Sequence, residues 1–260
     1  MQRPEVALIT GARRGIGRAI ALELGRAGFD IAITDVCKSN ELEATRSEIQ
    51  GLGVRCIAIA ADLADIDSHG QLFDNIEAQL GAVQCLVNNA GVSVIERGDI
   101  LNVSAESFDR CMAINTRGTF FLMQAFCRRL QKESGAARQS DIQKSIITIT
   151  SSNAIAASPQ RSEYCVSKAG LSMATTLFSL RVAELNVSVY EVQPGFIETE
   201  MTAPSKERYD AQMKQGLTAI QRWGTPQEVA IAVRTLAKGG LPYSVGQSIR
   251  IDGGLLVSKY

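Results

Sequence analysis

The chain has 260 residues, with Lys+Arg and Asp+Glu both at 27, a formal net charge of zero, 45% hydrophobic and 21% charged residues. That balance excludes a general pull toward nucleic acid or an anionic membrane surface, and the length suffices for one large domain with its own core. No apolar run reaches the roughly 20 residues of a membrane span, and the start Met1-Gln2-Arg3-Pro4 runs into Val6-Ala7-Leu8-Ile9 without a signal-peptide pattern.

Short apolar runs at 6–9, 31–34, 55–60, 83–87, 145–150, 187–192 and 248–251 read as strands. Several are apolar at consecutive positions, as expected of parallel strands covered by helices on both faces. Between them, 16–27, 41–52, 67–80, 105–130, 163–185 and 226–238 have helical spacing. This alternation predicts an α/β fold: one doubly wound (Rossmann) domain over 1–260 with a seven-stranded parallel sheet. The polar stretch 131–144 reads as an exposed loop. The stretch 199–222 follows a Pro-Gly on the side where strand ends open, so it is the expected substrate lid.

Cysteines 37, 56, 85, 111, 127 and 165 show no metal-ligand spacing and read as reduced, mostly buried thiols of a cytoplasmic protein. The single histidine, His69, stands among Asp65, Asp67 and Ser68 and is expected to be solvated. One histidine argues against a zinc site or a Ser-His-Asp hydrolase.

After the first strand, Thr10-Gly11-Ala12-Arg13-Arg14-Gly15-Ile16-Gly17 opens a helix. Glycines let the backbone turn tightly against a pyrophosphate, and the helix N-terminus offers free N–H donors. The spacing departs from Gly-x-Gly-x-x-Gly, so the turn alone is an ambiguous signal. Asp35 adds to it. Ending the second strand about 20 residues beyond the glycines, it is placed to accept from the adenosine ribose hydroxyls and to repel the 2′-phosphate of NADP. Arg13 and Arg14 pull the other way, because a guanidinium near the turn can bind that phosphate. The carboxylate lies against the 2′-position itself, so NAD is the expected cofactor. Asp62, in Ala60-Ala61-Asp62-Leu63, can accept from the adenine amino group or cap a helix.

Thr10-Gly-x-x-x-Gly-Ile-Gly17, Asn88-Asn89-Ala90-Gly91, Asn115, Ser151, Tyr164-Cys-Val-Ser-Lys168 and Pro194-Gly195 occur in this order across the whole chain. Together they resemble the short-chain dehydrogenase/reductase family. The chemistry also follows from the residues. Tyr164 and Lys168 sit one helical turn apart on one face. A free phenol ionises near pH 10, about three units above neutrality, and a neighbouring ammonium stabilises the phenolate form. Tyr164 can then take a proton from an alcohol or give one to a carbonyl oxygen. Lys168 can also hold the nicotinamide ribose.

The resemblance implies that Ser151 (with Ser152 as the alternative) hydrogen-bonds the substrate oxygen, and that Asn115 distorts its helix and holds a proton-relay water. It also implies that Ile197 and Thr199, after Pro194-Gly195, meet the nicotinamide carboxamide. Leu63, Asn89, Ala90 and Gly91 complete the expected cofactor contacts, while Asn88 either braces the sheet or touches the cofactor. Cys165 reads as packing.

The substrate walls are expected from 92–95, 152–161 and 196–213, with Ile95, Ile155, Phe196, Met201 and Met213 as apolar and Asn153, Gln160, Arg161 and Glu198 as polar candidates. A small polyol, sugar or hydroxy acid ranks slightly above a 3-oxoacyl group on an acidic carrier protein. The carrier would want a basic entrance, for which Arg128, Arg129, Lys206 and Arg208 are available, but the helix end Ala183-Glu184-Leu185-Asn186 is acidic. A reading of another class, a non-catalytic nicotinamide-sensing regulator, is disfavoured by the complete Tyr–Lys pair. The resemblance further implies a homotetramer built on 105–130, 163–185 and the C-terminal tail. Val166, Leu171, Ala174 and Phe178 leave the second of these helices apolar over more than one face.

Overall fold

A computed structural model describes residues 4–134 and 144–258. Seven parallel strands form one sheet: β1 (Val6–Thr10), β2 (Asp30–Asp35), β3 (Cys56–Ala60), β4 (Val83–Asn88), β5 (Lys144–Ile149), β6 (Val187–Pro194) and β7 (Ser248–Ile251). Their order is β3-β2-β1-β4-β5-β6-β7. The direction of winding therefore reverses between β1 and β4, and a crevice opens at the carboxyl ends there. This is the expected doubly wound fold.

Eight helices accompany the strands among the described residues: α1 (Gly15–Arg26), α2 (Asn40–Gln50), α3 (His69–Gln79), α4 (Ala105–Cys111), α5 (Thr119–Ser134), α6 (Ser162–Val182), α7 (Lys206–Lys214) and α8 (Pro226–Ala237). Both faces of the sheet are covered. Ile9, Ile31, Ile33 and Val192 pack with Ile20, Leu24, Val229 and Val233 on one side. Leu8, Leu86 and Ile146 pack with Phe73, Met123, Phe126 and Leu171 on the other. That two-sided cover explains why β1 is apolar at four consecutive positions and buried throughout. Helix starts follow side-chain caps: Ser39 accepts from Leu42 N–H, Ser104 from Ser107 N–H, and Thr225 forms a reciprocal capping box with Glu228.

Three expectations need correction. The segment read as one helix over 105–130 is α4, a widened π-helical stretch at Met112–Gly118, and then α5. The expected loop at 131–144 begins later, because α5 continues to Ser134 and Lys144 already belongs to β5; its middle, 135–143, lies outside the described residues. His69 is not solvated but buried at 2% exposure, and its Nε2 meets the Leu63 carbonyl at 3.1 Å. It shares the buried face of α3 with Leu72, Phe73 and Ile76. All six cysteines are free. Cys56, Cys85 and Cys111 are buried, Cys127 and Cys165 half-buried, and Cys37 exposed. Burial pushes the Cys56, Cys85 and Cys127 thiols up to about 12, the behaviour of unreactive packing groups.

Candidate active site

The glycine turn meets the end of β4 through Thr10. Its hydroxyl accepts from the Asn89 and Ala90 N–H groups, each at 3.0 Å. Asn89 answers by donating Nδ2–H to the Thr10 and Gly11 carbonyls at 2.9 and 3.0 Å. Gly11 and Gly15 have positive φ, 63° and 56°. A Cβ on Gly11 would fall 2.7 Å from Ala90 Cα, and one on Gly17 2.3 Å from Gly11 O. These glycines thus allow the turn to fold onto β4 and onto itself.

The residues present fit a dinucleotide. The N-terminus of α1, beginning Gly15-Ile16-Gly17, receives no side-chain cap hydrogen bond from Arg14, so its first N–H groups remain available for phosphate oxygens. Asp35 ends β2 with one carboxylate oxygen on the Val36 N–H at 2.9 Å. Arg13 is drawn between two acids, Asp35 at 3.8 Å and Glu41 at 3.3 Å. Arg14 is exposed and pairs with Glu200 of the 199–222 segment. Asp62 is exposed and takes the Ala64 N–H at 2.9 Å, a turn-forming bond rather than a helix cap. Leu63 beside it is buried, its carbonyl held by His69. Gly118 brings the π-helical stretch against it, since a Cβ there would lie 2.3 Å from Leu63 O.

On the other side of the crevice, α6 carries Tyr164 and Lys168, both buried, with Lys168 Nζ 5.8 Å from the Tyr164 ring centroid. Nζ donates to Ile149 O at 3.1 Å. Burial pushes the Lys168 ammonium below its ordinary range. Tyr164 and Glu191 favour its charge, and Arg161 opposes it. Ser151 follows β5 in extended conformation, half-buried, with Oγ accepting from Asn153 N–H at 3.1 Å. That bond leaves the hydroxyl proton free to donate. Ser152, the alternative, is buried.

Asn115 lies inside the π-helical stretch at 0% exposure. Its Oδ1 accepts from Val92 N–H at 2.8 Å, and Nδ2 donates to Val92 O at 3.0 Å and Ser167 Oγ at 2.9 Å. Gly91 joins the two halves: a Cβ on it would lie 3.1 Å from Asn115 Oδ1 and 3.4 Å from Lys168 Nζ. Asn88 is buried and donates to Thr148 Oγ1 at 3.4 Å, which makes it a brace between β4 and β5.

After Pro194, the last residue of β6, Gly195 presses against β7's exit, where a Cβ would fall 2.8 Å from Asp252 Cα. Ile197 is buried and bridges to Gly224. Thr199 lies 3.5 Å from the Cβ position of Gly15, so the segment after β6 returns to the glycine turn. Phe196, Tyr209 and Trp223 form an aromatic cluster with centroids 4.3 to 6.3 Å apart, and Trp223 Nε1 donates to Asp210 at 2.6 Å.

Of the expected wall residues, Ile95, Ile155 and Met201 are exposed, whereas Met213 is buried. Glu198 pairs with Lys206, and Gln160 accepts from Arg208 at 2.6 Å. The four basic residues available to an acidic carrier do not form one patch, and Lys206 is taken by Glu198. Arg129 is committed to Asp74 and Glu77 of α3, and Arg128 lines a groove with Phe120 and Phe178. Cys165 reaches only the Ser158 carbonyl, at 3.8 Å, as packing does. Sequence reasoning missed the tethers Thr10 and Ser167 and the buried acids Glu163 and Glu191. Serine and threonine beside a glycine turn or inside a helix carry no signal of their partners.

A model of the short chain dehydrogenase family matches residues 5–210. A crystal structure of a 3-oxoacyl-[acyl-carrier protein] reductase from Brucella melitensis in complex with NAD is 42% identical, with full coverage of both chains and a TM-score of 0.93. A putative 2-deoxy-d-gluconate 3-dehydrogenase from Agrobacterium tumefaciens with bound NADP is 27% identical over 98% of each chain, with a TM-score of 0.87. A 3-oxoacyl-[acyl-carrier-protein] reductase of Staphylococcus aureus is 32% identical over 98% of this chain and 99% of the relative. The chain belongs to the short-chain dehydrogenase family and is a nicotinamide-dependent oxidoreductase of alcohols and ketones.

Proposed function

We propose that the enzyme interconverts a small secondary alcohol and its ketone with NAD, using Tyr164 as proton donor and acceptor, Ser151 to hold the substrate oxygen, Lys168 to hold the ribose and the phenolate, and Asn115 to anchor the proton relay. The observation that carries this reading is the convergence of Tyr164, Lys168, Asn115 and Gly91 at the mouth of the glycine turn. A bound nicotinamide supplies or accepts the hydride. Tyr164 moves the proton at the substrate oxygen, and Ser151 donates to that oxygen as charge develops.

NAD is favoured because Asp35 and Glu41 already engage Arg13, so a 2′-phosphate would approach two carboxylates. A small polyol, sugar or hydroxy acid remains the favoured substrate class. A 3-oxoacyl carrier thioester is the second reading, favoured by the names of the relatives and opposed by the pairing of Arg129 with Asp74 and of Lys206 with Glu198. The segment 199–222 acts as a lid over the crevice. The free thiols suit a cytoplasmic setting.

Assembly as a homotetramer is supported by the outer row of α6. There Val166, Met173, Leu177 and Leu180 are 49 to 69% exposed beside an apolar groove of about 350 Å³ lined by Phe120 and Phe178. Leu171 and Ala174 turn into the core, so α6 is apolar on an inner and an outer face. Turnover of NADH and NADPH with small ketones and ketoacyl thioesters, wild type against Tyr164→Phe, tests the reading. NADH-dependent activity lost in the variant supports it, and activity unchanged in the variant overturns the Tyr164 assignment.

A further inference from the structure

Arg161 closes the turn Pro159–Arg161 that leads into α6, three residues before Tyr164. Its guanidinium lies over the Tyr164 ring, with Cζ 4.1 Å from the centroid. Among the described residues only neutral groups meet its tips: Nη1 donates to Asn153 Oδ1 and Nη2 to Ser93 Oγ, both at a long 3.4 Å. Nε is buried without a partner. The acid nearest in sequence, Glu163, takes the Ser107 hydroxyl at 2.5 Å and the Ser162 hydroxyl at 3.3 Å instead. Arg13, Arg55, Arg129 and Arg222, by contrast, each rest on a carboxylate. A half-sheltered guanidinium keeps its charge at any working pH, and its planar fork matches a carboxylate.

We infer that Arg161 receives a carboxylate of the substrate, so that the reacting pair is a hydroxy acid and its oxo acid rather than a neutral polyol or an acyl thioester. This rests on the proposed alcohol–ketone chemistry and selects the acidic member of its substrate classes. The substrate oxygen meets the hydroxyl of the same ring that Arg161 covers. A carboxylate on the carbon next to the reacting one, or one carbon beyond, therefore comes within reach of the fork. Arg161 also opposes the charge of Lys168, a repulsion that an incoming carboxylate relieves. A thioester would place a neutral group there and leave the cation uncompensated.

The test is steady-state reduction by NADH of 2-oxobutyrate and acetoacetate, each against its methyl ester, in wild type, Arg161→Gln and Arg161→Lys. NADH binding by fluorescence serves as the check on folding. With the preferred acid, Arg161→Gln is expected to raise KM on the order of 30-fold and Arg161→Lys to recover part of that loss, because charge returns without the fork. The rise in KM for the acid should exceed that for its ester by about 10-fold, whatever change in kcat the two share. Equal losses on acid and ester, or a wild type that prefers the ester, overturn the inference.

If the wild type reduces neutral ketones but neither binds nor reduces the acids, this inference falls and the proposed reaction stands. If it reduces no acceptor, the proposed reaction falls, and acid binding to the NADH complex still decides the anion site. Quenching of NADH fluorescence by acetoacetate that disappears in Arg161→Gln supports the site, and no quenching in wild type overturns it.

Discussion

Lys168 Nζ donates a hydrogen bond to the Ile149 carbonyl at 3.1 Å, tying the lysine of α6 to the end of β5 from which Ser151 enters the site. The ammonium is thus held by the sheet while it faces Tyr164, and this side-chain to carbonyl bond helps register the two catalytic candidates of α6 to the strand that leads to the serine.

Removing the phenolic hydroxyl separates proton transfer from binding. Tyr164→Phe is expected to lower kcat by on the order of 1,000-fold while NADH affinity stays within about threefold. Lys168→Ala should lower kcat and weaken NADH binding together, since it loses the ribose contact as well. Single-turnover rates and NADH fluorescence titration distinguish the two patterns. A Tyr164→Phe variant with wild-type kcat would discard the assignment.

The proposed preference for NAD assigns cofactor choice to Asp35. Its replacement by Ala removes one of the two acids holding Arg13 and frees that guanidinium for a 2′-phosphate. The ratio of kcat/KM for NADH over NADPH should fall by roughly 10-fold to 100-fold, a differential of about 1.4 to 2.7 kcal/mol. An unchanged ratio would show that selection lies elsewhere.

His69 makes stability depend on pH. Burial lowers its affinity for a proton below the ordinary value of 6.5, with the Leu63 carbonyl partly offsetting this. The unfolded chain therefore binds the proton more readily than the folded one. This contribution to stability is fully present above pH 6.5 and is lost as pH falls toward the folded value. Thermal unfolding from pH 8 to pH 5 should show a decline that His69→Gln flattens. Parallel curves for the two proteins would remove His69 as the cause.

Trp223 is the only tryptophan and packs on Phe196 and Tyr209, between the end of β6 and α7. Lid motion on ligand binding should change its emission. Arg208→Ala, which cuts the bond between α7 of the proposed lid and Gln160 before α6, should raise substrate KM by about threefold to 10-fold with little effect on NADH binding. Tryptophan emission that stays constant through saturation with NADH and substrate would argue against a moving lid.

The sheet and the order of the chemical groups are legible in local spacing alone. Consecutive apolar residues in Val6–Thr10 and Val187–Pro194 announce strands covered on both faces. Glycines at 11, 15 and 17, Asp35, and Tyr164 with Lys168 mark the crevice because their spacing is local: one turn, one strand end, one helical step. His69 was legible in principle, as it stands at helical spacing with Leu72, Phe73 and Ile76, but its polar neighbours mask that periodicity. Which faces of α6 lie inside is set by packing across the fold, since a helix apolar on several sides has no preferred orientation until neighbours pack. Packing also turns Arg129 to α3 and sets Arg161 over Tyr164 with no counter-charge among the described residues. Charge pairing between residues distant in sequence depends on which elements the fold brings together, and local pattern carries no record of it.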